Sequence, residues 1–483
     1  MNIACGLQAL TAIPIQPWQS NETVCEQALG VSAPIMTPLF GDSGFPKAFR
    51  GNVETGQVEE ITPQDAATQA ALAATIGLRG GGAHNDVVFL TGQQIQVGTG
   101  RFAGQLMLAF EGSTGNYLGS TLRPDLRNLR EGVVVNGDLY LAAALRDPAT
   151  GANIGGTVLK WTGDKASPFQ FEVVGGPFPD EAGYIAVHDG RIAVTGWHNL
   201  QARTVVGPRF GPRSDLRLSP PVPPGGLTSA DAGSWQSIFN WPQYDPDPTL
   251  ESGLYLGDVE SFKGNLYFGS YNGYGALSTS GTLWNTVGQP ESDLGKIVDI
   301  LNSVRPATVF EIKNAGQPNQ QISVLYGETT LPVFNQANGR WTRRPNDLHQ
   351  VPRLGPSGFN GNTSNMYNWT WTVLQDRLYM ATFDISRSAP FGPLGGQVWR
   401  LSPLTQALLA VAADVNGVVN GGGDLWRLDS PDRPAVAEDL SGYGDRFNYG
   451  IRVMVPFEDK GFFLAGTAGS YNLVRGWQML KFT

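Results

Sequence analysis

The chain has 483 residues and a formal net charge of −9. It contains no run of lysine and arginine, so a sequence-independent grip on nucleic-acid phosphates is not expected. No apolar stretch reaches the length of about 18 residues that a transmembrane helix needs. Glycine is abundant at 62 residues and proline at 33, whereas charged residues make up only 16%. This balance is typical of many short strands joined by turns, and it excludes helix bundles and coiled coils.

The N-terminal segment comes first in chain order. The chain has only two cysteines, Cys5 and Cys25, and both lie in a proline-containing stretch with little periodicity. We predict that they form a disulfide that pins residues 1–35 as an arm in an oxidising compartment, with two unrelated thiols as the alternative. The first residues lack the charged head and the apolar run of a secretory signal. We therefore expect either a signal peptide that has already been removed, which we favour, or a protein that is not secreted.

From residue 36 to residue 483 we predict one β-propeller domain, because a strand pattern recurs about six times. Each copy has a tight polar turn and then a strand of aromatic, aliphatic and small residues. Turns such as Asn-Gly, Asp-Gly and Lys-Gly suit two-residue hairpin loops, which need positive φ angles. The copies span residues 86–92, 136–143, 189–196, 263–270, 375–382 and 458–466.

Further strands follow several of these hairpins. Predicted third strands lie at 158–161, 309–312, 398–401, 425–428 and 477–480, and predicted fourth strands at 169–174 and 321–326. Four antiparallel strands form one propeller blade, so we predict six blades. The last blade stops after its third strand, and the stretch 48–61 offers spare strands. We predict that this stretch completes the last blade and closes the ring; if it forms a blade of its own, the number is seven.

Insertions interrupt the pattern. Helices are predicted at 63–76 and 290–304, and the apolar stretch 404–415 is a candidate third helix. In the second of these, helical spacing predicts one buried face, made of Leu294, Ile297, Val298, Leu301 and Val304. The proline-rich stretch 203–248 is predicted to be a long excursion across one face.

The C-terminal part, 358–483, carries a more specific pattern. It contains Asn-Met-Tyr-Asn-Trp at 365–369, Leu-Tyr-Met-Ala-Thr-Phe-Asp at 378–384 and Gln-Val-Trp at 397–399. These motifs resemble a loosely defined group of extracytoplasmic bacterial and archaeal propeller-like proteins, in which Gly usually stands at the position of Ala381 and Glu often at that of Gln397. The resemblance implies a propeller fold and a cell-surface setting. It implies no established activity, and we carry over no catalytic residue.

Alignment of the hairpins places one residue of each inner strand at an equivalent position that faces a central channel. These residues are Glu131, Tyr184, Asp258, Thr370 and Arg452. Channel carboxylates can bind calcium, and Glu131 and Asp258 with Glu260 are the candidate metal ligands. The alternative, which we favour, is that these groups are solvated or paired, for example Arg452 with one carboxylate, because a metal site normally brings together three or more protein oxygens.

Loop residues are the other candidates for binding. Trp235 and Trp241 lie in a loop region and are predicted to bind a sugar or a partner. Asp245 and Asp247 beside them form a candidate cation site. The apolar insertion that contains Leu404, Leu408 and Leu409 is predicted to dock on a partner. No nucleophile elbow and no metal-ligating histidine pair is present in the sequence.

Three functions follow from these features. The leading prediction is an extracytoplasmic, periplasmic or cell-surface propeller that acts as a protein-interaction or scaffold subunit of a larger surface or envelope assembly. This role without catalysis is favoured over an enzyme, and the enzyme question stays open. The first alternative is a calcium-dependent hydrolase or lactonase-like enzyme with its site at the channel mouth. The second is a carbohydrate-binding propeller. The expected partners are proteins and not nucleic acids, and calcium is the one candidate cofactor. Because the propeller fold supports many functions, the fold alone does not decide among these three.

Overall fold

The computed structural model describes residues 46–52, 55–95, 102–197, 214–272, 283–284, 287–384, 386, 402, 421–446, 448–469 and 478–483. Within them the chain is mostly β-strand and contains little helix. None of the helices in these ranges combines the length and the apolar character that crossing a lipid bilayer requires.

The strands follow one another in antiparallel sheets. An N-terminal ribbon contains β1 (Phe49–Gly51) and β2 (Val58–Glu60). The first sheet contains β3 (Thr75–His84), β4 (Val87–Ile95), β5 (Phe102–Glu111) and β6 (Tyr117–Arg123). The second contains β7 (Leu126–Arg127), β8 (Gly132–Val135), β9 (Asp138–Arg146), β10 (Asn153–Trp161) and β11 (Phe171–Phe178). The third contains β12 (Glu181–His188), β13 (Arg191–Trp197), β14 (Asp215–Leu218) and β15 (Gln236–Asn240).

The later strands repeat this arrangement in three groups, here called the fourth, fifth and sixth sheets, which backbone pairs join into one twelve-stranded sheet. The fourth contains β16 (Leu254–Phe262), β17 (Asn265–Asn272), β18 (Val309–Lys313) and β19 (Gln321–Gly327). A separate ribbon of β20 (Thr330–Asn335) and β21 (Arg340–Pro345) follows, and then β22 (Gly355–Pro356), which pairs with β19. The fifth sheet contains β23 (Asn365–Leu374), β24 (Arg377–Asp384), β25 (Leu425–Leu428) and β26 (Val436–Asp439). The sixth contains β27 (Asn448–Phe457), β28 (Phe462–Gly469) and β29 (Met479–Phe482).

The hairpin between the first two full strands of each sheet is where the sequence predicts it. In the second sheet, Asn136 and Gly137 have φ angles of 50° and 86°, which match a two-residue turn with positive φ at both positions. The β16–β17 turn, with Lys263 and Gly264, has the same form. The six predicted turn-and-strand segments therefore all lie at antiparallel hairpins.

Neighbouring sheets pack through their first strands. β12 packs on β16, β16 on β23, and β23 on β27. Single backbone pairs also join adjacent sheets, Tyr271 with Tyr367 and Phe383 with Gly450. The first strands thus lie beside one another as the inner strands of propeller blades do, and the described chain has a propeller-like architecture.

The N-terminal ribbon touches both ends of the series of sheets. Ala48 and Ile61 pack in the core of the first sheet, whereas Phe49 packs on Phe462 and Leu464 of the sixth. β1 pairs with β2, with Phe49 opposite Glu60. Ring closure by the N-terminal strands and the number of blades stay predictions.

The insertions agree with the sequence in part. The two predicted helices exist as α1 (Ala66–Ala73) and α2 (Asp293–Asn302), and a single helical turn, α3 (Gly358–Gly361), follows. The stretch 203–248 was wrongly predicted to be only an excursion, because β14 and β15 lie in it and complete the third sheet. Cys5, Cys25, the strand predicted at 398–401 and the helix predicted at 404–415 lie outside the described residues.

Candidate functional site

The inner strands of the third to sixth sheets share a register shift at the same level. The shift lies between Ala182 and Ile185 in β12, and between Leu256 and Val259 in β16. Corresponding shifts lie at 368–370 in β23 and 451–453 in β27. A bulge re-aims the side chain that it carries. Tyr184, Asp258 and Arg452 fall within these shifts and Thr370 borders one, so the bulges explain why the predicted positions are equivalent.

Asp258 links two inner strands through its carboxylate. Its side chain is buried, with 4% of the residue exposed. Oδ1 accepts a hydrogen bond from the backbone N–H of Val259 (2.7 Å), and Oδ2 accepts one from the backbone N–H of Trp371 in β23 (2.6 Å). The carboxylate therefore fastens the fourth sheet to the fifth at the level of the bulges.

Glu131 and Glu260 stand close enough to Asp258 for their charges to interact. Both are half-buried. Burial, followed by the charge of Glu260, raises the pKa of Glu131 to about 8, and burial raises the pKa of Glu260 to about 7. Burial, followed by the charge of Glu131, raises the pKa of Asp258 well above its usual value. Near neutral pH this axial carboxylate cluster, Glu131, Asp258 and Glu260, therefore retains protons that exposed carboxylates would have lost.

Cations and aromatic rings surround the cluster. The Arg130 guanidinium lies 4.0 Å from the centre of the Trp197 ring, and that of Arg452 lies 5.3 Å from Trp369. Both guanidinium groups favour the ionised form of Glu131 and so oppose the rise in its pKa. Stacked or edge-on rings fill the space beside them: Tyr184, Trp197, Tyr271, Tyr367, Trp369 and Tyr449.

This arrangement can hold and release protons at a partly accessible position between sheets. Across the ranges that the structure describes, no three histidine, cysteine, aspartate or glutamate side chains converge as metal ligands. The assignment of Glu131, Asp258 and Glu260 as metal ligands stays a prediction. Arg130 and Arg452 both favour the ionised form of Glu131, and the alternative pairing of Arg452 with one carboxylate also stays a prediction.

The two tryptophans that were predicted to bind a sugar or a partner differ in their burial. Trp241 is 1% exposed in the main core, where it packs against Tyr244 and Phe310, so its prediction as a binding residue is wrong. Trp235 is half-buried; its Nε1 donates to the carbonyl oxygen of Val174 at 3.0 Å. Its role in binding stays a prediction.

The acidic pair beside Trp241 is not a free cation site either. Asp245 forms a buried ion pair with Arg305 at 2.5 Å. Asp247 accepts hydrogen bonds from the backbone N–H groups of Thr249 and Phe334. The two carboxylates thus hold loops together. Leu404, Leu408 and Leu409 lie outside the described residues, and their docking role stays a prediction.

Helix α2 exposes part of the apolar face that its sequence predicts to be buried. Leu294 is 71% exposed, Leu301 66% and Val298 40%, so these three residues form an apolar stripe that faces solvent. Lys296 and Asp299 are buried instead. The helix itself is confirmed, whereas the predicted burial is wrong for these three residues; Ile297 and Val304, the other two of the predicted face, are half-buried.

Two indole groups explain why the polar side of α2 faces the core. Asp299 Oδ2 accepts a hydrogen bond from Trp284 Nε1 at 2.7 Å, and Oδ1 accepts one from Trp341 Nε1 at 2.9 Å. Lys296 pairs with Asp293 at 3.2 Å. Buried polar groups are tolerated when they are hydrogen-bonded. Helical spacing revealed the stripe, but only the partners of Asp299 determine which side faces inward.

Comparisons with known proteins find structural similarity at low sequence identity. No protein-family model and no curated protein matches the chain. The β-propeller domain of the trilobed protease from Pyrococcus furiosus is 8% identical, with 84% of this chain and 78% of that one covered and a TM-score of 0.36. An exo-β-1,3-galactanase from Phanerochaete chrysosporium is 10% identical, with 59% of each chain covered and a TM-score of 0.31.

A puromycin-hydrolysing peptidase of Mycobacterium tuberculosis is 8% identical, and the similarity covers 96% of this chain and 48% of the peptidase, with a TM-score of 0.43. The chain thus spans about half the length of that peptidase. Similarities at this level carry no argument about fold or activity.

Proposed function

We propose that this chain is an extracytoplasmic protein-interaction subunit of a larger surface or envelope assembly, and that the apolar stripe of α2 is its contact surface. The observation that carries the proposal is the orientation of α2. Leu294, Val298 and Leu301 face solvent, while Asp299 faces the core on two indole hydrogen bonds.

An amphipathic surface helix normally buries its apolar side. Here that side offers two leucines and a valine at helical spacing, the pattern by which a helix docks on a protein groove or on another helix. Covering each of these side chains with a partner would contribute about 1–2 kcal/mol through burial of apolar surface. The fixed, hydrogen-bonded inner side keeps the stripe in place before the partner arrives, which lowers the ordering cost of binding.

Native mass spectrometry of the protein purified gently from its source tests the proposal. The wild type is expected to carry a second protein at fixed stoichiometry, and the double variant L294N/L301N is expected to lose it. L440N is the matched control, because Leu440 is a 50% exposed leucine outside the residues of α2. A wild type without a partner, or a double variant that keeps it, would contradict the proposal.

We also propose that six sheets close into a ring through the N-terminal ribbon. The contacts of Ala48 and Ile61 with the first sheet and of Phe49 with the sixth support this arrangement. F49A is expected to increase hydrogen exchange in β28 as well as in β1. An increase confined to β1 would argue against a closing role.

A second candidate function is acid–base hydrolysis at the axial carboxylate cluster, with or without calcium. The raised pKa values of Glu131 and Glu260 favour it, because a carboxyl group that keeps its proton near neutral pH can act as a general acid. Calcium titration followed by calorimetry, and an ester and lactone hydrolysis screen between pH 6 and 8, test it with E131Q as the comparison. A heat of calcium binding, or a turnover, that is lost in E131Q would favour this function. If the wild type shows no calcium binding and no turnover, the function is ruled out.

A further inference from the structure

A serine and a histidine meet at the hairpin end of the inner strands of the third and fourth sheets. His188 is the last residue of β12, and Ser261 lies one residue before the end of β16. The Nδ1 atom of His188 lies 2.8 Å from the hydroxyl oxygen of Ser261, which is within hydrogen-bond reach. The two residues are 73 positions apart in the chain, so no sequence motif or period joins them.

The packing of the two strands places the pair on facing sides. Side chains alternate along a strand, so Ala186 shares the side of His188, and Val259 shares that of Ser261. Ala186 and Val259 are both buried in the main core, where β12 packs on β16. The histidine and the serine continue this contact as its polar end, next to the exposed turn that begins at Asp189.

The surroundings of His188 suit a proton acceptor. The residue is 5% exposed, and burial lowers the pKa of its imidazole, so the ring is neutral at neutral pH. A neutral imidazole with its proton on Nε2 has a lone pair on Nδ1, and this lone pair accepts the hydroxyl proton of Ser261. The charge of Asp189 favours the imidazolium that such a transfer creates, whereas the charge of Arg191 opposes it.

Ser261 is the more accessible member of the pair. The residue is half-buried, and its backbone N–H donates to the side chain of Glu260, with 3.2 Å between N and Oε2. A carbonyl oxygen that replaces this carboxylate would meet the N–H directly beside the attacking hydroxyl, as at the oxyanion sites of acyl-transfer enzymes. A hydroxyl, a base and a backbone donor thus lie together at the open end of the contact between two sheets.

We propose that Ser261 is a nucleophile activated by His188, and that it takes acyl groups from small carboxylic esters. The half-buried position between two hairpins favours small acyl groups over bulky ones. This activity goes beyond the docking function proposed above and does not depend on it.

The proposed reaction has two steps. His188 removes the hydroxyl proton while Ser261 Oγ bonds to the carbonyl carbon of the ester. The bond from that carbon to the alcohol oxygen then breaks, the proton passes from His188 to the departing alkoxide, and an acyl ester stays on Ser261. Water attacks this acyl ester with His188 again as the base, so that the acid is released and the serine is restored.

A fluorophosphonate probe tests the inference on the full chain. Ser261 Oγ is expected to bond to phosphorus while fluoride leaves, and mass spectrometry of tryptic peptides is expected to find the label there. H188Q keeps a hydrogen-bonding side chain but cannot take up the proton, so its labelling rate is expected to fall at least about a hundredfold. S237A, at an exposed serine of β15, is the control and is expected to label like the wild type. Thermal melting by circular dichroism establishes that each variant is folded.

An acetyl ester gives a second readout. With p-nitrophenyl acetate, the wild type is expected to release nitrophenol and to carry one acetyl group on Ser261, whereas S261A is expected to do neither. Labelling of the wild type at serines other than Ser261, or equal labelling rates for the wild type and H188Q, would overturn the inference. The pair would then be a structural hydrogen bond between two sheets.

The outcomes also separate this inference from hydrolysis at the axial carboxylate cluster. Ester turnover that S261A keeps and E131Q loses would assign the chemistry to the cluster and would overturn the nucleophile. If H188Q does not fold, the position of the label on the wild type decides alone, since only an activated hydroxyl at residue 261 places it there.

Discussion

The axial carboxylate cluster and helix α2 both reverse the usual distribution of polar and apolar groups, and they do so in opposite directions. In the cluster, Asp258 is buried and Glu131 and Glu260 are half-buried, beside a group of packed aromatic rings. On α2, leucines face solvent and an aspartate faces the core. In both places a buried carboxylate has hydrogen-bond donors, two backbone N–H groups for Asp258 and two indoles for Asp299.

The two regions differ in the groups that have no structural role assigned to them. The axial cluster leaves half-buried Glu131 and Glu260, whose pKa values are raised by burial. The α2 region leaves an apolar stripe without cover among the described residues. Buried carboxylates that are hydrogen-bonded, such as Asp258 and Asp299, hold the structure together. The half-buried glutamates and the exposed leucines are instead the candidates for function. The predictions below separate these two contributions.

The largest expected effect belongs to Asp258. D258A removes the acceptor of two backbone N–H groups between the fourth and fifth sheets, and we expect the free energy of unfolding to fall by about 3 kcal/mol. At pH 5 the neighbouring Glu131 and Glu260 carry protons, so they do not repel a charge at residue 258. Urea denaturation at this pH therefore measures the loss of the hydrogen bonds alone. D376A is the control, because the side chain of Asp376 is 74% exposed. Equal midpoints for the two variants would contradict a structural role for Asp258.

The next effect belongs to Asp299. D299A leaves the Nε1 groups of Trp284 and Trp341 without their acceptor, and we expect a loss of about 2 kcal/mol. Hydrogen exchange is expected to rise in α2 and β21 together, because Asp299 joins them. D347A, at an exposed aspartate, is expected to change stability by less than about 0.5 kcal/mol. Unchanged exchange in α2 would mean that the indoles do not set its orientation.

A smaller effect depends on pH. The folded-state pKa of Glu131 is raised to about 8, so the folded protein binds more protons than the unfolded chain between the two pKa values. This contribution to stability is therefore greatest below the unfolded pKa and is lost as the pH rises towards 8. We expect E131Q to be more stable than the wild type at pH 8, relative to pH 5, by about 2 kcal/mol after allowance for its partial exposure. If the free energy of unfolding depends on pH in the same way for E131Q, for the wild type and for the exposed-site control E59Q, the raised pKa of Glu131 is contradicted.

Local turn chemistry accounts for the parts of this fold that the sequence revealed. The φ-positive pairs such as Asn136–Gly137 mark hairpins without tertiary information. The proline-rich stretch concealed β14 and β15, because short strands between turns have little period to detect. The alignment of the hairpins identified Tyr184, Asp258 and Arg452 as equivalent inner-strand positions. The burial of Trp241 and the inward side of α2, in contrast, depend on partners that are distant in sequence. Periodicity identifies a face, and only packing determines its direction.

The smallest expected effect concerns the stripe of α2. L294N/L301N replaces two exposed leucines, so we expect its free energy of unfolding to stay within about 0.5 kcal/mol of the wild type. Urea denaturation of the isolated protein measures it, and L72N, at a fully buried leucine, is the positive control for a core position. Neutral stability together with loss of the partner in native mass spectrometry would separate binding from folding at this surface. A loss of about 2 kcal/mol or more would instead mean that the leucines are covered by the chain itself, since only buried apolar side chains contribute that much.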